Sequence, residues 1–191
     1  MSEATLYLIK ALGDVLTLAI LFAFLFRLFK VDYFNPIVQG IVRIVDLPVG
    51  LIRTIVKPLF GIDLASLLTA LAVKAICLYL LAASGSLNAD FFTLLKWSFF
   101  SVLLLIVRIL FYSMFAGIIL SWISPGSHNP AIKLVFQMSE PIFRPFRKLI
   151  PPMGGLDFSP ILAFIALNFL ESIIRNFAIQ TGVPYGTLMG F

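Results

Sequence analysis

Residues 35–66, NPIVQGIVRIVDLPVGLIRTIVKPLFGIDLAS, and residues 129–160, NPAIKLVFQMSEPIFRPFRKLIPPMGGLDFSP, decide the fold when one is laid over the other. Shifted by 94 residues without a gap, Asn35-Pro36 falls on Asn129-Pro130, Arg53 on Arg147, Pro58 on Pro152, Gly61 on Gly155 and Asp63 on Asp157. Apolar coincidences carry little information in a chain that is 61% hydrophobic, whereas coincident Asn, Arg, Gly, Asp and Pro carry much. The reading is an internal duplication, with copies at about 4–90 and 98–184. Each copy sets two long apolar stretches around a polar loop, so the expected fold is an all-α membrane protein with two halves of like orientation.

Composition agrees. Charged residues make up 12% of the chain, against roughly 25% in water-soluble domains, and one domain of 191 residues is expected. The net charge of +5 sits beside apolar runs, where the positive-inside bias and anionic headgroups account for it. Membrane lipids are therefore expected partners, and nucleic acid is not. Cys77, the single cysteine, lies in an apolar run and cannot build a disulfide or a thiolate metal site within one chain. His128, the single histidine, stands in a loop beside Gly126 and Asn129; no second axial haem ligand is specified by spacing. No metal, cofactor or enzymatic chemistry is expected. No small-residue cleavage site follows a short apolar core at the N-terminus, so the first run is expected to stay as a signal anchor.

Four runs are long enough to cross about 30 Å of hydrocarbon as helices: about Thr5 to Phe29, Leu64 to Ala83, Phe91 to Ile123 and Phe158 to Thr181. The third exceeds the membrane thickness and is expected to tilt or to start above the surface. Trp97 and Trp122, near its two ends, are expected in interfacial belts. The loop 27–63 carries Arg27, Lys30, Arg43, Arg53 and Lys57, and the loop 124–157 carries Lys133, Arg144, Arg147 and Lys148. The connection 84–90 and the tail after Gly182 carry neither Lys nor Arg. Both large loops are thus expected to be cytoplasmic, with both termini on the far side.

Within the first loop, Gln39, Arg43, Asp46, Gly50, Arg53 and Lys57 recur at three- and four-residue steps between Ile, Val and Leu; Lys133, Gln137, Glu140, Arg144 and Arg147 repeat the rhythm. That is the period of an amphipathic helix lying in the headgroup plane. Pro48 in one copy, and Pro141 and Pro145 in the other, are expected to kink or split it.

The densest motif runs from Pro141 to Pro160, as Pro-Ile-Phe-Arg144-Pro-Phe-Arg147-Lys148 followed by Pro151-Pro-Met-Gly154-Gly155-Leu-Asp157-Phe-Ser159-Pro160. With Asn129-Pro130, the duplicated arrangement and the length, it resembles the YggT family of small integral membrane proteins over nearly the whole chain. The resemblance implies a multi-pass protein of a bacterial inner membrane or a plastid relative. It also implies a link to osmotic-stress tolerance, to cell or organelle division, or to maturation of cytochrome complexes. The first copy departs from the motif: Gly50 stands for Arg144, Leu51 for Pro145, Phe60 for Gly154 and Ser66 for Pro160.

The motif also has a structural reading. Ser159 followed by Pro160 is expected to be an N-cap followed by the first helical residue, with Asp157 taking free amides of that turn and Asp63 doing the same for the second span. Gly61, Gly154 and Gly155 suit tight turns into the membrane. Arg53, Lys57, Arg144, Arg147 and Lys148 would meet lipid phosphates or an acidic partner.

Asp14, Lys74, Arg108, Asn168, Glu171 and Arg175 lie within the spans, where ionisable groups hold bundles together, line polar pathways or snorkel to an interface. At about 1.5 Å per residue, Asp14 and Arg108 lie roughly 24 Å from the cytoplasmic ends, Glu171 about 20 Å, Arg175 about 26 Å, and Lys74 and Asn168 about 15 Å. Depth predicts Asp14 with Arg175 and Arg108 with Glu171; spacing along one helix face offers Glu171 with Arg175 as the alternative. Ala19 and Ala23 match Ser113 and Gly117, with Ser121 beyond, and this stripe predicts that the first and third spans meet. The functional expectation is a non-enzymatic scaffold or assembly factor that docks lipid, a membrane-protein partner or a second copy through its basic loops. The alternative is an oligomeric ion or osmolyte transport component, using the intramembrane charges.

Overall fold

The computed structural model describes residues 3–59, 61–85, 87–150 and 157–183. Among them lie six helices: α1 Glu3–Leu28, α2 Pro36–Arg53, α3 Leu64–Ala83, α4 Phe91–Ile123, α5 Pro130–Leu149 and α6 Ser159–Gln180. Helices α1, α3, α4 and α6 are long and apolar enough to cross a membrane, and they coincide with the four expected runs. Gly154 and Gly155 lie outside the described residues.

Local chemistry sets the helix starts. Asn35 and Asn129 hold extended backbone and accept, through Oδ1, from the amides of Ile37 (2.9 Å) and Ala131 (2.8 Å), each followed by proline in the first turn. Asp63 caps α3 and Asp90 caps α4. Gly61 takes φ +80, a left-handed angle that turns the chain into α3. Lys30, at φ 55, ends α1, and Val31 donates back to the Phe26 carbonyl at 2.9 Å.

One expectation is corrected here, and another in part. Ser159 is not the N-cap: it is already helical, Phe158 precedes it without a side-chain bond, and the Asp157 carboxylate takes the Ser159 amide at 2.9 Å. Capping therefore comes from two residues ahead of the helix. Of the expected kink or split at the prolines, the split is absent: α2 and α5 each run unbroken through them. An interior proline costs about 3 kcal/mol, while burial of Val38, Val45 and Val49 in α2, or of Met138, Ile142 and Phe143 in α5, offsets it at about 1.5–3 kcal/mol per side chain. Trp97 is buried against Leu78, Leu94, Ala178 and Val183, whereas Trp122 is exposed.

Helix α1 packs on α2 and α3, and α4 packs on α5, α6 and α3. One core cluster gathers Phe24, Phe26, Val38, Val45, Val49 and Ala70 around α1. Another gathers Met114, Ile142, Phe143, Ala163 and Leu167 around α4. The expected seam between α1 and α4 is narrow; α3 and α4 form the wider join. Gly117 instead admits α5: a Cβ there would lie 2.8 Å from the Cβ of Ser139. Small residues permit close approach to whichever helix is nearest, and the stripe itself does not say which.

Candidate functional site

At one end of α1, α2 and α3 two arginines and two aspartates converge. Arg27 donates to Asp63 Oδ2 and, at 2.9 Å, to Ser66 Oγ. Arg53 reaches Asp63 Oδ2 at 3.2 Å, and Asp46 Oδ1 lies 3.8 Å from Arg27 and 3.9 Å from Arg53. Ser66 Oγ donates to Asp63 at 2.7 Å. Burial alone would raise the Asp63 carboxyl; the bonds from Ser66 and Arg27, with the Arg27 charge, hold it below the ordinary carboxylate value.

A second group sits where α5 meets the start of α6. Arg147 Nε donates to Asp157 Oδ2 at 2.8 Å, Nη1 reaches both Glu140 oxygens at 2.6 and 2.7 Å, and the guanidinium lies 5.6 Å from the Phe143 ring centre. Burial tends to lower the Arg147 pKa, but bonds to Asp157 and Glu140 raise it above the ordinary arginine value. Burial alone would raise the Asp157 carboxyl, but the bonds from Ser159 and Arg147, with the Arg147 charge, together hold it below the ordinary carboxylate value.

The five cations expected to bind lipid or a partner thus fall into two sets. Arg53 and Arg147 are engaged inside the chain; Lys57, Arg144 and Lys148 are exposed. Sequence reasoning missed the roles of Arg27, Asp46 and Glu140. A signal existed: Asp46 to Arg53 and Glu140 to Arg147 are each seven residues, two helical turns, with an aspartate ten residues further.

Beside the second group is a cavity of about 750 Å³, walled by Ser121, Trp122, Phe136, Glu140, Arg147 and Asp157 among others. A second cavity of about 550 Å³ lies between α1, α4 and α6, lined by Leu18, Phe22, Arg108, Ser113, Asn168 and Glu171.

Inside the bundle, Asp14 and Lys74 are buried and pair directly. This corrects the expected Asp14–Arg175 pair. Helix α1 lies on α3, and the four-carbon lysine stem bridges the offset in depth. Arg108 Nε is 3.7 Å from Glu171 Oε1, and Arg175 pairs with the same carboxylate one turn along α6. Asn168 donates to its own helix, at the Phe164 carbonyl, 2.8 Å. No group of three or more His, Cys, Asp and Glu suited to a metal is found among the described residues, and His128 is exposed in the loop before α5.

The chain is similar to an uncharacterized protein of Pseudomonas aeruginosa, 38% identical over 187 residues, covering 96% of this chain and 95% of the relative. It is 27% identical over 183 residues to the uncharacterized protein YggT of Escherichia coli, covering 92% of each. A shorter likeness, 40% over 55 residues, covers 29% of this chain and 22% of the chloroplastic YlmG homolog protein 2 of Arabidopsis thaliana. No solved structure matches. The family model described as CCB3/YggT matches twice, at residues 2–84 and 96–178, and the chain belongs to that family.

Proposed function

We propose that the protein is a non-enzymatic scaffold or assembly factor of a bacterial inner membrane, built from two duplicated three-helix halves. In this reading α2 and α5 are amphipathic and lie in the cytoplasmic headgroup plane, with both termini on the far side. The observation that carries it is the outward face of these two helices. Arg43, Lys133, Arg144 and Lys148 are exposed there together with Ile44, Leu47, Leu51 and Leu149. Cations beside exposed apolar side chains suit an anionic lipid surface or the acidic segment of a membrane partner, or of a second copy.

The test is charge reversal at Arg144 and Lys148, which leaves the internal Arg147 network intact. The double variant should lose retention of phosphatidylglycerol and cross-linked neighbours in native membranes while staying folded. Wild-type retention of both would end the proposal.

The 550 Å³ cavity favours a second reading, an oligomeric ion or osmolyte transport component, because Arg108, Asn168 and Glu171 line it at membrane depth. That reading requires flux in proteoliposomes that changes with Arg108→Gln. Absence of flux under every imposed gradient removes it.

A further inference from the structure

The two acid–arginine groups have the same spacing but different charge. Asp46, Arg53 and Asp63 are joined by Arg27, so two cations face two carboxylates. Glu140, Arg147 and Asp157 occupy the positions 94 residues later, where Ser121 stands in place of Arg27 and Pro160 in place of Ser66. Ser121 cannot substitute for a guanidinium: its hydroxyl donates to the Ile118 carbonyl at 2.7 Å. Two carboxylates therefore share one arginine.

The missing side chain leaves space. Ser121, Glu140, Arg147, Asp157 and Pro160, the counterparts of Arg27 and the four residues around it, all line the 750 Å³ cavity. Ser159, between Asp157 and Pro160 in sequence, is buried without lining the cavity, and its hydroxyl has no partner among the described residues. Lys30 lies on the rim, exposed, and makes no ion pair with Glu140 or Asp157. Trp122, Phe136 and Phe143 supply aromatic walls, which favour a cation over an anion beside carboxylates. The cavity lies beside the last two turns of α4, a helix apolar enough to span a membrane.

We propose that this cavity binds a primary ammonium group, which takes the place between Glu140 and Asp157 that the Arg27 guanidinium takes between Asp46 and Asp63. The ammonium belongs to an aminophospholipid headgroup or to a free alkylamine. With the lipid, Lys30 at the rim is placed to meet the phosphate.

The test uses the full chain in nanodiscs. Phosphatidylethanolamine is titrated into phosphatidylglycerol discs, and ethanolamine is added to the solution, with Trp122 fluorescence and native mass spectrometry as readouts. Phosphatidylcholine, whose quaternary nitrogen donates no hydrogen bond, is the control. Saturable binding of phosphatidylethanolamine but not ethanolamine assigns the site to lipid; binding of ethanolamine as well assigns it to free amines. Ser121→Arg restores the absent guanidinium within the chain, and it should raise the melting temperature and weaken amine binding about tenfold or more, the loss of one charge-assisted contact. If Ser121→Arg binds amine as the wild type does, the proposal is overturned. Wild-type protein that retains phosphatidylcholine as well as phosphatidylethanolamine, or that binds no amine, overturns it without reference to any variant.

Discussion

The side-chain amide of Asn35 donates to the main-chain carbonyl of Pro130 at 2.7 Å, so the cap of α2 is fastened to the first residue of α5. The same side chain spends its oxygen on the Ile37 amide, and Asp32 donates its backbone N–H to Gln137 nearby at 3.2 Å. Asn35 is buried while Asn129 is exposed, although both cap a helix in the same way.

Asn35→Ala should therefore cost more than Asn129→Ala. Loss of a cap is worth about 1 kcal/mol, and Asn35→Ala also removes a part-buried bond between α2 and α5, adding about 0.5–1.5 kcal/mol. Asn35→Asp keeps the cap oxygen but sets a carboxylate oxygen against the Pro130 carbonyl, so it should lose the α2–α5 bond while the cap survives. Unfolding in mixed micelles by denaturant measures the order; equal losses for the two alanine variants would contradict the cross-link.

Acid should loosen the chain at both arginine–carboxylate groups. Asp63 and Asp157 are held below the ordinary carboxylate value in the folded chain. Their stabilisation is therefore complete above the unfolded value, about 3.9, and is lost as pH falls through the lower folded value. Melting temperature should be flat from neutral pH to about 5 and decline below about 4, by the same linkage. Asp63→Asn should lower the plateau and flatten part of that decline. An unchanged acid limb in both Asp63→Asn and Asp157→Asn would place the titration elsewhere.

Asp14 and Lys74 form a buried pair, and removing one partner strands the other. Lys74→Met should destabilise by about 3–5 kcal/mol, and Asp14→Leu by a similar amount. The double variant should recover most of that loss, since a buried pair is close to neutral against apolar residues of like volume. A thermodynamic cycle in micelles reads the coupling. Additive losses would mean that the two side chains find other partners.

Hydropathy and span length made α1, α3, α4 and α6 legible, because lipid leaves a run of 20 apolar residues few alternatives to a helix. Gly61 and Asp63 likewise marked the turn and cap before α3, whereas the Asn-Pro pairs were read only as repeat markers and proved in the structure to cap α2 and α5. The pairing of intramembrane charges was not legible for Asp14: depth counts along one helix, and a partner is chosen by the neighbouring helix and the angle around it. Arg108–Glu171 agreed with depth because α4 does pack on α6. In the loops, charge counting treated Arg53 and Arg147 as free cations. Their acids lie two turns back or ten residues ahead, and only folding brings those distances to hydrogen-bond length.

Gly117 tests which helix the small-residue stripe serves. An added Cβ would stand 2.8 Å from the Cβ of Ser139 on α5, too close for two carbons, and a Cβ is fixed to its helix backbone and cannot swing aside. Gly117→Ala should therefore cost about 1–3 kcal/mol through overpacking, although alanine is the better helix former by about 1 kcal/mol. Ser139→Gly in the same chain removes the opposing Cβ and should return part of the loss, apart from the cost of a second glycine within a helix. Ala23→Gly on α1 should give no such rescue, because α1 does not supply the clash. Rescue by Ala23→Gly in place of Ser139→Gly would restore the α1–α4 seam that the stripe first implied. Rescue by Ser139→Gly fixes α5 against α4, and with it the wall of the larger cavity, since both residues line it.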